Sequence, residues 1–240
     1  MPRAPSRPPA AVLFDLYDTL VHASPRRSFY YAVPAALAVS RERWLVCYRA
    51  LGRAAMLGDV PDLTTRVHLA CRHAGQPRDL ATVTAVVRDR LPLLYADIEP
   101  DRHALAVLDQ LRAAGVRLAI VSNAASHSER LLDRFGFRDR VSATAMSWSV
   151  GVLKPDPLIY RAALDALSVV AGEAAYVGDG GASEFRGARR LGLRTVLVDR
   201  GLPHTESARA DADLCCADLA EAARVLLGPG KAAMKAGPPI

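Results

Sequence analysis

From residue 101 onward, short apolar segments alternate with amphipathic segments, and this alternation constrains the fold more than any other feature of the sequence. Strands that alternate with helices of about ten residues are typical of βαβ units and a parallel sheet. The pattern predicts strands at residues 11–17, 116–122, 141–145, 174–178, 195–198 and 213–216, and helices at residues 103–114, 126–135, 157–167, 183–191 and 219–227. The predicted fold class is therefore α/β, with a doubly wound, Rossmann-like parallel sheet.

The segment from about residue 25 to residue 95 has a different pattern. Its apolar residues recur three and four positions apart, as in Trp44, Tyr48 and Leu51, and it contains no strand candidate. We therefore predict an all-helical domain inserted after the first strand. The expected bounds are 10–22 and 97–228 for the α/β core, 23–96 for the helical insertion, and 1–9 and 229–240 for flexible termini.

Composition excludes several classes of function. No apolar run approaches the roughly 18–20 residues needed to span a bilayer, and no export signal precedes the first strand. The formal charge of +6 comes from arginines that are interleaved with acidic residues, so no nucleic-acid surface is predicted. The four cysteines match neither a metal spacing nor a disulfide framework. We expect a cytoplasmic protein without a membrane or nucleic-acid partner, and no pattern indicates its oligomeric state.

Polar residues stand where the predicted strands end. In open α/β sheets, ligands bind at the carboxyl ends of the strands. The residues at those ends are Asp15, Ser122 with Asn123, Lys154, and Asp179. Only three of the 31 basic residues are lysines, and Lys154 is the one outside the C-terminal tail, which suggests that a compact ammonium group is needed there. A nucleophilic carboxylate, a hydroxyl with an amide, a cation and a second carboxylate suit phosphoryl transfer.

These residues resemble the four motifs of the haloacid dehalogenase-like hydrolase superfamily, in order, across roughly residues 11–200. The matching residues are Asp15 with Thr19 and Leu20, then Ser122, then Lys154, and finally Asp179 with Glu184. The helical insertion occupies the place of the superfamily's cap domain. Each match alone has low specificity, but four in the superfamily's order are specific.

The resemblance implies a mechanism. Asp15 would attack the phosphorus of a small phosphorylated substrate, with Ser122 and Lys154 as the other catalytic residues. Asn123 and Tyr17 would contact the substrate. Mg²⁺, which prefers hard oxygen ligands, would be held by Asp15, the Tyr17 carbonyl, Asp179 and Glu184, although Glu184 could instead orient Lys154.

Tyr17 departs from the first motif, where family phosphatases carry a second Asp that acts as general acid and base. Tyrosine, with a pKa near 10, is a poor base at neutral pH. A tyrosine here resembles the metal-independent 2-haloacid dehalogenases, and Asn123 fits that comparison, whereas Asp179 does not. Two alternatives to a phosphatase therefore remain: a carbon–halogen hydrolase, and a catalytically weakened binding or regulatory protein.

Other polar residues carry weaker signals. Asp18 follows Tyr17, but in an extended segment it would point the opposite way. The six histidines share no metal-ligand spacing and none is assigned to the site, although His22 lies close after the first motif. Arg49, Arg53 and Arg66 of the insertion are typical of solvated helix faces, and no role is assigned to them.

Overall fold

In this computed structural model, the described part of the chain is residues 7–228. Its strands are β1 (Ala11–Phe14), β2 (Val21–Ala23), β3 (Ile98–Pro100), β4 (Arg117–Ser122), β5 (Ala143–Met146), β6 (Ala174–Gly178), β7 (Arg194–Val198) and β8 (Leu214–Cys216). Its α-helices are α1 (Phe29–Ala36), α2 (Arg41–Ala50), α3 (Gly52–Leu57), α4 (Leu63–His73), α5 (Leu80–Ala96), α6 (Ala104–Ala113), α7 (Glu129–Arg134), α8 (Ser147–Val150), α9 (Pro157–Leu167), α10 (Glu184–Leu191), α11 (Thr205–Asp211) and α12 (Leu219–Leu227). The remaining residues of the predicted flexible termini, 1–6 and 229–240, lie outside the described residues.

Six parallel strands form the main sheet, in the order β5-β4-β1-β6-β7-β8. Side chains of a strand alternate between the two faces, and β1 is apolar on both. Val12 and Phe14 pack on one face with residues of α6 and α12, whereas Ala11 and Leu13 pack on the other with residues of α9 and α10. Helices cover both faces, so the predicted doubly wound α/β fold is confirmed.

The five helices α1–α5 stand between β2 and β3 and have a hydrophobic core of their own. Trp44, Tyr48 and Val67 are among its buried residues. Side-chain caps define where three of the helices begin, because Ser40, Asp62 and Asp79 each accept a hydrogen bond from a backbone N–H three residues on. The helical insertion is thus present, while its proposed division from the core at residues 23 and 96 stays a prediction.

The sequence pattern missed the small sheet at the base of this insertion. Strands β2 and β3 pair antiparallel, with Val21 opposite Pro100 and Ala23 opposite Ile98. Each strand has three residues, too few for a periodic signal. Their pairing brings the start and the end of the insertion together.

Residues 16–21 correct the predicted extent of the first strand. The regular strand ends at Phe14, three residues before the predicted end, because the chain then turns. The Leu16 carbonyl accepts from the N–H groups of both Leu20 and Val21, and Asp18 has a φ of 55°. Asp18 is therefore in a left-handed turn and not in an extended segment. The expectation that its side chain points opposite to that of Tyr17 assumed an extended segment and does not hold on that ground.

Two further observations concern the cysteines of β8 and the character of the helices. Cys216 is buried in β8 whereas Cys215 is exposed, because neighbouring residues of a strand face opposite sides. Within residues 7–228, no helix combines the length and the apolar character needed to cross a membrane.

Candidate active site

The predicted site residues meet at the carboxyl edge of the sheet. Asp15 follows β1, Ser122 ends β4, and Asp179 follows β6, and these three strands are neighbours in the sheet. Lys154 precedes α9 and reaches the same edge. Because neighbouring parallel strands end on the same side, residues that are 57 or more positions apart converge there.

Lys154 is the centre of a buried hydrogen-bond network. Its ammonium nitrogen lies 2.6 Å from Asp15 Oδ1, 2.7 Å from Glu184 Oε2 and 3.0 Å from the Tyr176 hydroxyl oxygen. An ammonium group has three N–H donors, and three acceptors surround this one. The side chain is only 3% exposed, so these contacts replace its hydration.

Glu184 is held by more partners than its motif position indicates. Its Oε1 accepts from the Gly180 N–H at 2.8 Å, and its Oε2 accepts from the Tyr176 hydroxyl at 2.7 Å as well as from Lys154. Gly178 leaves room for this carboxylate, since a Cβ there would collide with Glu184 Oε1. Neither Tyr176 nor Gly178 was predicted as a site residue, although the position of Tyr176 in a buried strand was a usable signal.

Burial perturbs the ionisation of the site. Burial raises the pKa of Asp15 from 3.8 to about 6, although the Lys154 charge acts in the opposite direction. Burial and the Asp15 charge together raise the pKa of Asp179. Burial alone disfavours the Lys154 cation, but Asp15 and Glu184 outweigh this and raise the Lys154 pKa above its ordinary value. The ammonium therefore stays charged at neutral pH.

Three carboxylates of the site could hold a metal ion. Asp15, Asp179 and Glu184 each offer an oxygen, these oxygens lie within 4.8 Å of one another, and all three residues are buried. Among residues 7–228, Lys154 is the only lysine or arginine paired with these carboxylates, which leaves two formal negative charges unbalanced when His204, the partner of Asp179, is neutral. Buried charges require compensation, and a hard divalent cation such as Mg²⁺ has the charge and the ligand preference to provide it.

Ser122 and Asn123 take different positions. Ser122 is buried at the end of β4, the strand beside β1, which Asp15 follows. The Asn123 amide instead holds the Lys154 main chain, since Oδ1 accepts from the Lys154 N–H at 2.7 Å and Nδ2 donates to its carbonyl at 3.3 Å. The Ala124 N–H donates to Ser147 Oγ at 3.0 Å, so it is not free for a substrate oxygen.

Tyr17 lies at the boundary between the strand ends and the helical insertion. Its hydroxyl is 2.9 Å from Ser128 Oγ, and burial raises its pKa to about 12. The Tyr17 hydroxyl therefore keeps its proton, and the prediction that it is a poor base gains a structural reason.

The histidines require one correction. His204, which carried no sequence signal, places Nε2 2.8 Å from Asp179 Oδ2. His22, the histidine nearest to the first motif, instead pairs with Asp101 at 3.3 Å and lines a different hollow with Arg200. The histidine that contacts the site is therefore His204, from the loop after β7, and not His22, which is nearer to the first motif along the chain.

A cavity of about 650 Å³ opens beside Tyr17. Helices α1, α2, α4 and α5 and the loop before α7 contribute to its wall. Its lining is rich in tyrosine and arginine: Tyr17, Tyr30, Tyr31, Tyr48 and Tyr95, with Arg27, Arg41, Arg49 and Arg66. Arg49 and Arg66 are thus not simple solvated faces, whereas Arg53 lines a separate hollow beside Lys154.

The fold is a parallel α/β sheet whose carboxyl edge holds an aspartate, a buried lysine and a carboxylate cluster. These features are those expected of a haloacid dehalogenase-like hydrolase. A model of the haloacid dehalogenase-like hydrolases matches residues 9–192. The chain belongs to this family.

Similar proteins include phosphatases and dehalogenases. The chain is 39% identical to a phosphoserine phosphatase of Thermus thermophilus over 145 residues. This aligned segment covers 60% of this chain and 55% of that protein. The chain is 31% identical to a phosphoglycolate phosphatase of Rhodospirillum rubrum over 214 residues, and this alignment covers 80% of each protein. The solved L-2-haloacid dehalogenase of Xanthobacter autotrophicus superposes with a TM-score of 0.62 over 92% of this chain and 99% of that one, at 20% identity. The fold is therefore common to both chemistries.

Proposed function

We propose that this protein is a Mg²⁺-dependent phosphomonoesterase that acts on a small phosphorylated metabolite through an aspartyl-phosphate intermediate. The observation that carries the proposal is the buried cluster of Asp15, Asp179 and Glu184 oxygens, to which Lys154 is the only ammonium paired in the described part of the chain. The phosphatases among its relatives support the same reaction class.

In this proposal, Asp15 and Asp179 supply side-chain ligands to Mg²⁺, and the Tyr17 carbonyl supplies a third. Glu184 belongs to the same carboxylate group, and its hydrogen bonds to Lys154 and Gly180 suit it to position the ammonium. The ion, when bound, offsets the repulsion between the Asp15 carboxylate and the phosphate dianion.

The remaining steps belong to the chain's own residues. Lys154 donates to Asp15 Oδ1, which leaves Oδ2 to attack phosphorus. The bond between Oδ2 and phosphorus forms as the bond to the leaving oxygen breaks, and water then attacks phosphorus and releases Asp15. The Ser122 hydroxyl and the Lys154 ammonium stabilise the phosphoryl oxygens.

This mechanism lacks an identified general acid to protonate the leaving group. The Tyr17 hydroxyl is hydrogen-bonded to Ser128 Oγ, and burial raises its pKa to about 12. It therefore does not replace the second aspartate as general acid and base. We therefore expect good leaving groups to react faster than simple alkyl phosphates, because good leaving groups depart without a proton.

Tyr17 also supports a second candidate function, metal-independent hydrolysis of a carbon–halogen bond with the same nucleophile, Asp15. Against it, such a reaction has no use for the carboxylate of Asp179. The third reading, a weakened binding or regulatory protein, predicts binding of phosphorylated compounds without turnover.

Hydrolysis of para-nitrophenyl phosphate by the purified protein tests these functions. We expect turnover with Mg²⁺, loss of turnover with EDTA, and a loss of at least about 10³-fold in Asp15→Asn. Asp165→Asn, an exposed aspartate of α9, is the matched control and should leave the rate unchanged. Absence of turnover in wild-type protein would overturn the phosphatase, and halide release from 2-chloropropionate in EDTA would then identify a dehalogenase.

A further inference from the structure

His204 contacts the carboxylate cluster from outside it. Its Nε2 lies 2.8 Å from Asp179 Oδ2, and its side chain is 38% exposed, whereas that of Asp179 is 6% exposed. An ionised carboxylate accepts hydrogen bonds and cannot donate them, so the imidazole N–H is the donor. In the described part of the chain, the group of possible cation ligands consists of Asp15, Asp179 and Glu184, and His204 is not a member of it. The imidazole therefore contacts a ligand of the proposed cation rather than adding one.

Asp179 is held at both of its carboxylate oxygens. Oδ1 accepts from the Gly181 N–H at 3.1 Å, and Oδ2 accepts from His204. Each carboxylate oxygen has two lone pairs, so one hydrogen bond on each oxygen leaves a second lone pair for a cation. The two hydrogen bonds thus fix the rotation of the carboxylate without preventing it from acting as a ligand.

Helix α11 sets the position of His204. The residue directly precedes this helix, and its carbonyl accepts from the Ala208 N–H at 3.0 Å. The helix also packs against Gly180, the residue after Asp179, because a Cβ on Gly180 would collide with Ala208. Glycine, which has no Cβ, permits this close approach. The start of α11 is therefore seated next to the carboxylate that His204 contacts.

The loop that carries His204 is also attached to the turn after the nucleophile. The Arg200 guanidinium donates to the carbonyls of Asp18 and Thr19, at 3.3 and 3.0 Å. The same guanidinium pairs with Asp101 at 2.8 Å. These contacts hold the loop from two sides, so the imidazole has a defined position although it is partly exposed.

We propose that His204 is a positioning residue of the cation site, and that its hydrogen bond to Oδ2 holds Asp179 in the orientation in which the carboxylate binds a divalent cation. Hydrogen bonds to ligating groups orient them, and loss of such a bond typically lowers metal affinity about 10- to 100-fold. The inference rests on the proposed Mg²⁺-dependent function and adds a residue to which the four sequence motifs assign no role.

Binding of Mn²⁺ to the metal-free protein tests this role without turnover. Mn²⁺ suits the same oxygen ligands as Mg²⁺, and the electron paramagnetic resonance signal of free Mn²⁺ gives the dissociation constant. We expect His204→Ala to raise this constant about 10- to 100-fold. His204→Gln, whose amide N–H can donate to Asp179, should restore part of the affinity. Asp179→Asn should abolish the same binding, which assigns it to this cluster.

His73→Ala is the matched control, since it removes an imidazole from an exposed position at the end of α4. It should leave the Mn²⁺ dissociation constant unchanged, and none of the histidine variants should change the thermal unfolding of the metal-free protein. Equal dissociation constants in wild-type and His204→Ala, or a loss in His204→Ala that accompanies a fall in thermal stability, would overturn the positioning role.

The same measurements separate this inference from the proposed function. Mn²⁺ binding that is independent of His204 would overturn the positioning role alone, whereas a wild-type protein that binds no Mn²⁺ would overturn the cation site with it. Turnover of para-nitrophenyl phosphate separately decides the phosphatase.

Discussion

At the strand ends, the ammonium of Lys154 has three hydrogen-bond acceptors, whereas the hydroxyl of Tyr48 in the insertion has no hydrogen-bond partner within residues 7–228. The difference extends beyond these two groups. Six buried side-chain polar atoms lack a partner within residues 7–228, and four of them belong to α2 and α4: those of Arg41, Trp44, Tyr48 and His68. The network around Lys154 satisfies its own polar groups, although the Thr19 hydroxyl of the first motif lacks a partner within residues 7–228. Helices α2 and α4 leave four of their polar atoms without one.

This contrast separates two tasks. A site that performs the same bond cleavage on every substrate benefits from groups that are already in place, because they need no reorganisation during the reaction. A pocket that selects a substrate instead benefits from donors that only the correct ligand satisfies, since a wrong ligand leaves them unpaired. Under the proposed function, the strand ends have the first arrangement and the cavity among the helices has the second.

Lys154→Met should have the largest effect. It removes the cation between Asp15 and Glu184 while keeping the volume of the side chain. Breaking a buried ion pair costs about 3–5 kcal/mol, so the free energy of unfolding should fall by about 3 kcal/mol in urea denaturation. Hydrolysis of para-nitrophenyl phosphate should fall at least about 100-fold. Arg161→Met, at an exposed position of α9, should change neither quantity, and an unchanged stability in Lys154→Met would contradict the satisfied core site.

Asp101→Asn tests the place where the chain returns from the insertion to the core. Burial raises the Asp101 pKa, but hydrogen bonds from His22 and the His103 N–H, together with Arg200, outweigh burial and lower the pKa from 3.8 to about 2. The ionised carboxylate therefore stabilises the fold above pH 3.8, and this contribution is lost as the pH falls towards 2. We expect Asp101→Asn to be about 2 kcal/mol less stable at pH 7.

A pH series of denaturant unfolding measures this difference. The gap between wild-type and Asp101→Asn should narrow as the pH falls from about 4 to about 2, because the wild-type carboxyl becomes protonated there. Asp139→Asn, an exposed aspartate, is the control and should not reproduce the pattern. A gap that is constant over this range would mean that the Asp101 charge does not stabilise the fold.

The smallest expected effects distinguish two buried tyrosines that differ in their partners. Tyr176→Phe removes a hydroxyl that contacts both Lys154 and Glu184, so the free energy of unfolding should fall by about 1–2 kcal/mol. Tyr48→Phe removes a hydroxyl without a partner, so stability should stay the same or rise by up to about 1 kcal/mol. Equal losses in the two variants, measured by the same urea denaturation, would remove the contrast between the regions.

Local signals explain which elements were predicted correctly. Helix α9 was predicted with its observed bounds because Asp156 caps it and Pro157 occupies its first turn. Strand β6 was also predicted with its observed bounds, since a short apolar run between polar residues marks a buried strand. The pairing of β2 with β3 was missed because it joins residues more than 70 positions apart.

The sequence alone determined the order of the main-sheet strands and the placement of Asp15, Ser122, Lys154 and Asp179 at one edge of the sheet. Glu184 was assigned through the resemblance to the family's fourth motif. Residue periodicity and position after a strand are local properties, and the topology of a parallel sheet does the rest. Only the tertiary structure revealed the Asp179–His204 contact, the Asn123 contact to Lys154, and the unpaired donors of the cavity. These depend on how distant segments pack, and whether a polar group finds a partner is decided by that packing rather than by its neighbours along the chain.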